Sequence, residues 1–356
     1  MIDFNTVARE FRGLVDRRRE IFTFLGSAFA AMGLFLANVL EGKLPPTLAM
    51  VQEHLIAFYA LVLMVVSLLL ALRMAKLHGG MVLNGILYAR LMQEQDFTRK
   101  SDPQRAARHN LFGVSFIQFV LVDLIAGFSM FLLVLAMGLP PFVANLSGFG
   151  VVLAWMLLYF RFHRSAADFA MKKIASEPVG PVKPDEWREH ISASMHQANH
   201  GLLAELAFAG LMIFSCFGAM SGLGKIEAQK LDIGAELVKK EGPILFALLM
   251  TVTCLLELVI YLRVRIAIGK FSLQLDPTDR PFRPLKLTDS LLGYLLLAFL
   301  FGISLHMLLI QVVPAFGEHL FVLLAIDIAA IALAVIAEQI TLVVAGRKLA
   351  LNQPTA

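Results

Sequence analysis

The chain has 356 residues, of which 58% are hydrophobic and only 16% are charged, and its formal net charge is +4. Together with a mean hydropathy of +0.74, this composition excludes a disordered chain, a small disulfide-stabilised domain and an ordinary soluble enzyme. Uncharged runs long enough to cross a hydrocarbon layer of about 30 Å recur along the sequence. It therefore predicts an all-α, polytopic membrane protein.

Residues 1–20 precede the first long apolar run and form a polar segment with apolar residues at helical spacing. This segment ends in Arg17, Arg18 and Arg19, and the run that follows has the length of a full span, so we do not expect a cleaved signal peptide. We predict a cytoplasmic amphipathic helix at 1–20. It either lies on the inner membrane surface or is solvated on all sides.

Eight helical spans follow from the apolar windows and the short turns between them. They are predicted at 21–41, 54–76, 112–138, 147–167, 202–222, 244–266, 290–313 and 320–346. An even number of spans places both termini on the same side. That side carries 26 of the 31 Lys and Arg residues and the other carries 5, so the positive-inside rule predicts cytoplasmic termini. We expect an integral protein of a bacterial inner membrane.

The segment Ser176–Pro184 concentrates proline and glycine near the middle of the chain and divides four spans from four. The prediction is a first four-span half at 21–175, a cytoplasmic linker and helix at 176–201, a second half at 202–346 and a cytoplasmic tail at 347–356. A shift of 179 residues places Arg9-Glu10 on Arg188-Glu189, and a shift of 174 places the turn Pro140–Phe142 on Pro314–Phe316. The order of the spans and the loop lengths also match between the two halves. Because four spans return the chain to its starting side, the sequence predicts two parallel four-helix repeats related by an axis along the membrane normal.

The first span carries small residues at intervals of three and four. These are Gly26, Ala30, Gly33 and Ala37. Such a stripe gives a helix a smooth face that the backbone of another helix can approach closely. We therefore predict helix packing along this face, with the lining of a narrow passage as the alternative.

Acidic residues interrupt three of the predicted spans. Asp123 lies near the middle of the third, Glu257 has Thr253 and Tyr261 one turn away on either side, and Asp327 and Glu338 share one face of the eighth. A carboxyl group in the middle of a membrane helix costs about 2.5–3.5 kcal/mol on insertion scales, so it should face protein or water. Carboxylates in such a place take up protons or hold cations, which makes these four the candidate transport residues. The alternative is a protonated carboxyl that only hydrogen-bonds a neighbouring helix.

Motifs for other chemistry are sparse. His306 in the seventh span is the one candidate metal ligand that clearly lies inside the membrane, and both cysteines, Cys216 and Cys254, fall inside spans. No spacing resembles a metal motif, a phosphate-binding glycine loop or a catalytic elbow, so we predict no cofactor.

These features favour a transporter or channel that moves a proton or a small cation through a helical bundle. A non-catalytic structural or assembly subunit of a membrane complex is the first alternative. An intramembrane lipid-binding protein or enzyme that uses the same carboxylates is the second. The expected partners are the lipid bilayer, a proton or small cation, and further copies of the chain or other membrane subunits, but not nucleic acid.

Overall fold

The fold is described from a computed structural model, which describes residues 1–40, 55–94, 113–224, 233–275, 287–313 and 320–351. Within these ranges the chain forms helices and no strand, apart from a single parallel bridge between Ile2 and Val179. The helices are α1 (Phe4–Leu40), α2 (Leu55–Glu94), α3 (Val114–Ala136), α4 (Pro141–Ser176), α5 (Pro184–Gly224), α6 (Ile233–Leu275), α7 (Leu287–Val312) and α8 (Leu320–Leu351).

Several helices are longer than a bilayer requires. The 40 residues of α2 and the 43 residues of α6 correspond to about 60 Å of helix, roughly twice the hydrocarbon thickness. Among the described residues, seven helices are long and apolar enough to cross a membrane, which indicates an integral membrane protein. The predicted span 21–41 coincides with the second half of α1 but ends beyond the described residues, so the eighth span stays a prediction.

The helices pack in a defined order. α1 packs against α2 and α5, α2 also packs against α3 and α4, and α6 packs against α3, α5, α7 and α8. The largest apolar core draws buried side chains from α1 to α6, with Phe22 and Phe208 stacked at a centroid distance of 3.9 Å. α4, α7 and α8 expose many large apolar side chains, among them Leu153, Phe299 and Leu333. Such a belt suits contact with lipid tails.

The N-terminal segment is the first half of α1 and continues into the apolar half without a break. Its residues Phe4 and Val7 are buried in a small apolar cluster with Leu87 and Leu91 of α2 and with Val182. This differs from the expectation of a helix on the membrane surface or in solvent, because other parts of the chain cover the apolar face. α2 continues far enough beyond its predicted span to provide that cover.

Contacts between α1 and α5 run in the same direction along both helices. The Gln197 side chain donates a 2.9 Å hydrogen bond to the Arg12 carbonyl oxygen, and Phe208 packs over Gly26. Further along both helices, the Ser215 hydroxyl donates a 2.7 Å hydrogen bond to the carbonyl oxygen of Phe29. Later residues of α1 therefore meet later residues of α5, and the two helices pack in parallel.

Small residues on α1 allow α1 and α5 to pack closely. A Cβ atom at Gly33 would overlap Ser215, and one at Gly26 would lie 2.8 Å from the Phe208 ring. Ala30 is buried on the same face. The side chain of Ala37 lies outside the described residues.

The connection between α3 and α4 is very short. Gly138 adopts φ 75° and its N–H bonds the Leu135 carbonyl at 2.8 Å, which is the left-handed cap that glycine favours. Pro141 then occupies the first turn of α4, where its missing N–H costs nothing. The similar predicted turn at 314–316 lies outside the described residues.

Candidate functional site

Two buried glutamates face each other between neighbouring helices. Glu205 of α5 and Glu257 of α6 are 5% and 0% exposed, and their carboxyl groups are close enough to interact electrostatically. Among the described residues, Glu205 Oε2 and both carboxyl oxygens of Glu257 have no hydrogen-bond donor. From α3, the Gln118 side-chain amide donates a hydrogen bond to Glu205 Oε1. We call Glu205 and Glu257 the acid pair.

A partly buried arginine stands beside the acid pair. Arg18 of α1 interacts electrostatically with Glu205, and its Nη1 lies 3.7 Å from the Met81 sulfur on α2. Burial lowers the pKa of Arg18 to about 10, and the Glu205 charge opposes that decrease. The guanidinium is therefore still positively charged at neutral pH, and it provides the acid pair with a counter-charge.

A chain of hydrogen bonds approaches the same region from α4. His163 Nδ1 lies 3.0 Å from His78 Nε2 on α2, and His78 Nδ1 lies 2.9 Å from the Ser115 hydroxyl on α3. The Tyr159 ring stacks on His78 at a centroid distance of 4.2 Å, and its hydroxyl lies next to Ser115. We call His163, His78 and Ser115 the histidine chain.

A second polar group lies between α6, α7 and α8. Glu338 accepts a 2.7 Å hydrogen bond from the Tyr294 hydroxyl and lies 3.5 Å from Arg265 Nη2. Both charged side chains are at least 95% buried. We call Glu338, Tyr294 and Arg265 the Glu338 cluster. Tyr261 meets Tyr294 edge to face at a centroid distance of 4.9 Å. Because Glu257, Tyr261 and Arg265 share one face of α6, this face extends from the acid pair to the Glu338 cluster.

The four predicted transport residues have different immediate surroundings. Glu257 lies in the acid pair and Glu338 in its own cluster. Asp123 is fully buried on α3, and within the described part of the chain neither of its carboxyl oxygens has a hydrogen-bond partner. Asp327 is partly exposed and lies against Gly302 of α7. Between described residues, no hydrogen bond or ion pair joins any two of the four.

The metal interpretation gains no support from the described residues, which contain no group of three metal-ligating side chains. The Nδ1 atom of His306 is buried without a hydrogen-bond partner in the same part of the chain. The histidines that do meet are His78 and His163, which the sequence places at the ends of predicted spans.

Sequence reasoning alone did not select five polar residues of this region for the site. These residues are Arg18, His78, Gln118, His163 and Glu205. Each lies on a different helix, and only the helix packing brings them together. Their position in the sequence could have indicated them, because all five lie near the basic end of a predicted span. There, one polar side chain from each helix can build a buried polar layer.

Comparison with known proteins leaves the family open. No protein-family model, no curated protein and no solved structure matches this chain. The functional argument therefore rests on the buried polar groups.

Proposed function

We propose that the protein is a membrane transporter or channel that moves protons or a small cation, and that the acid pair is its ion-binding site. The observation that carries this proposal is the proximity of two buried carboxyl groups to each other and to the partly buried guanidinium of Arg18. Such a group of charges has no simple packing role, because apolar side chains of similar size fill a core at no lower stability.

Charge counting supports an exchangeable proton. Two carboxylates are both hydrogen-bond acceptors, so the acid pair can form an internal hydrogen bond only when one carboxyl is protonated. With one proton, the pair carries a single negative charge that balances Arg18. Loss of that proton leaves a net negative charge in a buried place, which a small cation could neutralise.

The proposed repeat has three supports in the helix packing. α1 and α5 pack in parallel, as helices do when the two halves share their orientation. In each half the second helix packs against the first, third and fourth. The shift of 179 residues also places Ser115 on Tyr294 and Tyr159 on Glu338, and the side chains of each pair lie next to each other between the third and fourth helices.

A structural subunit is the second candidate. The Glu338 cluster favours it, because there a buried carboxyl has both a cationic and a hydroxyl partner and needs no ion. The belt of exposed apolar side chains on α7 and α8 would then bind partner subunits as well as lipid.

Reconstitution decides between the two candidates. The purified protein is placed in liposomes that contain a pH-indicator dye, and a membrane potential is imposed in the presence of Na⁺ or K⁺. Transport predicts a proton or cation flux that increases with protein density. If the flux equals that of empty liposomes for H⁺, Na⁺ and K⁺, the structural interpretation is correct.

A further inference from the structure

The histidine chain has no function in the account so far. His78 and His163 are 2% and 9% exposed, and buried histidines that pack only as apolar groups do not require a continuous line of hydrogen bonds. The line crosses three helices, from α4 through α2 to α3, with separations of 3.0 and 2.9 Å. Both distances are normal for direct proton transfer between hydrogen-bonded groups.

The His163 end of the histidine chain lies at the same depth as several exposed cationic side chains. His163 stands between Arg161 and Arg164 on α4, and both arginines are exposed. On α2, Arg73 and Lys76 are exposed, five and two residues before His78. Exposed cationic side chains at helix ends lie at the headgroup and water boundary, so His163 lies close to water on the basic side.

The other end lies near the acid pair. Ser115 and Gln118 are three residues apart and share one face of α3, and Gln118 donates a hydrogen bond to Glu205. Arg18 interacts electrostatically with His78, Tyr159 and Glu205 together. The inner end of the chain and the acid pair therefore surround the same guanidinium.

We propose that the histidine chain is a proton relay that connects the basic side of the bundle with the acid pair. This inference rests on the proposed function, and it assigns to that site a route by which its proton arrives. It makes His78 and His163 proton-carrying residues that do not touch the bound ion.

The proton balance of the relay is simple. His163 takes a proton from solution at Nε2 and passes its Nδ1 proton to His78 Nε2. His78 passes its Nδ1 proton to the Ser115 hydroxyl, which passes its own proton on toward Glu205. Reorientation of each group then resets the chain, and no oxidant or reductant is involved.

The groups around His78 suit this role. His163 and Tyr159 face it from α4, Ser115 faces it from α3, and Arg18 lies near it from α1. The neighbouring positive charge of Arg18 disfavours a resting imidazolium at His78. A relay group should hold its extra proton only in transit.

The test follows the acid pair by infrared spectroscopy after a rapid decrease in pH. The carboxylic acid signal of the pair is assigned by its loss in Glu257→Gln. In His78→Gln and His163→Gln, proton arrival should slow at least about tenfold, with the final extent unchanged. The control is His196→Gln, which alters an exposed histidine of α5 and should leave the rate unchanged.

Thermal unfolding of each variant separates slow transfer from misfolding, and His163→Gln carries the test if His78→Gln does not fold. An unchanged rate in His163→Gln overturns the relay and leaves the acid pair as the binding site. If the wild-type pair takes up no proton at all, the relay and the proposed function are both wrong.

Discussion

The Tyr294 hydroxyl donates a 2.7 Å hydrogen bond to Glu338 Oε2 across two helices, in a place where both groups are buried. Tyr294→Phe should therefore destabilise the protein by about 1 kcal/mol, since it removes a partner of a buried charged group. The measurement is unfolding in detergent by circular dichroism. Tyr59→Phe is the control, because the Tyr59 hydroxyl is buried and has no hydrogen-bond partner among the residues that the structure describes, so its removal should cost nothing. Equal losses of stability in both variants would show that the Tyr294 hydroxyl does not hydrogen-bond to Glu338.

Close packing of α1 on α5 makes a prediction about two glycines of one helix. A Cβ at Gly33 overlaps Ser215, whereas one at Gly13 meets nothing within 4 Å. Gly33→Ala should destabilise the protein by about 1–3 kcal/mol through overpacking. Gly13→Ala should stabilise it by about 0.5–1 kcal/mol, since alanine is the better helix former. Thermal midpoints that move in the same direction would show that α1 and α5 do not touch at Gly33.

Asp3 caps α1 and makes the free energy of unfolding depend on pH. Hydrogen bonds from the Thr6 hydroxyl at 2.8 Å and the Thr6 N–H at 2.9 Å hold the pKa of Asp3 below its ordinary value. Because the folded value is depressed, the stabilisation is complete above an unfolded pKa of about 3.9. It is lost as the pH falls through the folded value.

The comparison is with Asp3→Asn, which keeps the cap and removes the titration. As the pH falls below about 4, the wild type should lose stability relative to Asp3→Asn because Asp3 takes up its proton. A pH-independent difference between the two unfolding free energies would show that Asp3 does not cap α1 as a carboxylate. Asp3→Ala should cost about 1 kcal/mol at neutral pH.

The sequence predicts well which segments form helices and predicts poorly how long those helices are. Each described helix covers most of its predicted span, because hydropathy reports which residues suit a lipid core. It does not report where a helix ends. α2 continues to Glu94 because residues beyond 76 are compatible with a helix and pack against the N-terminal half of α1 outside the apolar zone.

The site was less accessible to prediction. Glu257 could be found from its helix alone, since a carboxyl group in an apolar span needs a partner. The identity of that partner, Glu205, depends on how α5 and α6 pack. Asp123 and Asp327 can be found in the same way. Among the described residues no hydrogen bond or ion pair joins them to Glu257, so their place in a transport path stays a prediction.

Orientation can be tested at two exposed lysines in a background without cysteine. Lys183 lies just before α5, and Lys240 lies on α6 at the opposite end of the predicted spans; both are exposed. In intact cells, an impermeant thiol reagent should label Lys240→Cys and leave Lys183→Cys unlabelled, because the positive-inside rule predicts that the basic side faces the cytoplasm. The reverse pattern would place the termini outside.

The central claim is that the acid pair carries the transported ion, and flux through Glu257→Gln tests it most directly. Glutamine keeps the size and hydrogen-bonding capacity of glutamate but cannot exchange a proton. The matched control is Glu189→Gln, an exposed position on α5. In liposomes with equal amounts of folded protein, the account predicts that Glu257→Gln reduces flux at least about a hundredfold and that Glu189→Gln leaves it unchanged. Wild-type flux in Glu257→Gln, with thermal stability intact, would contradict the claim.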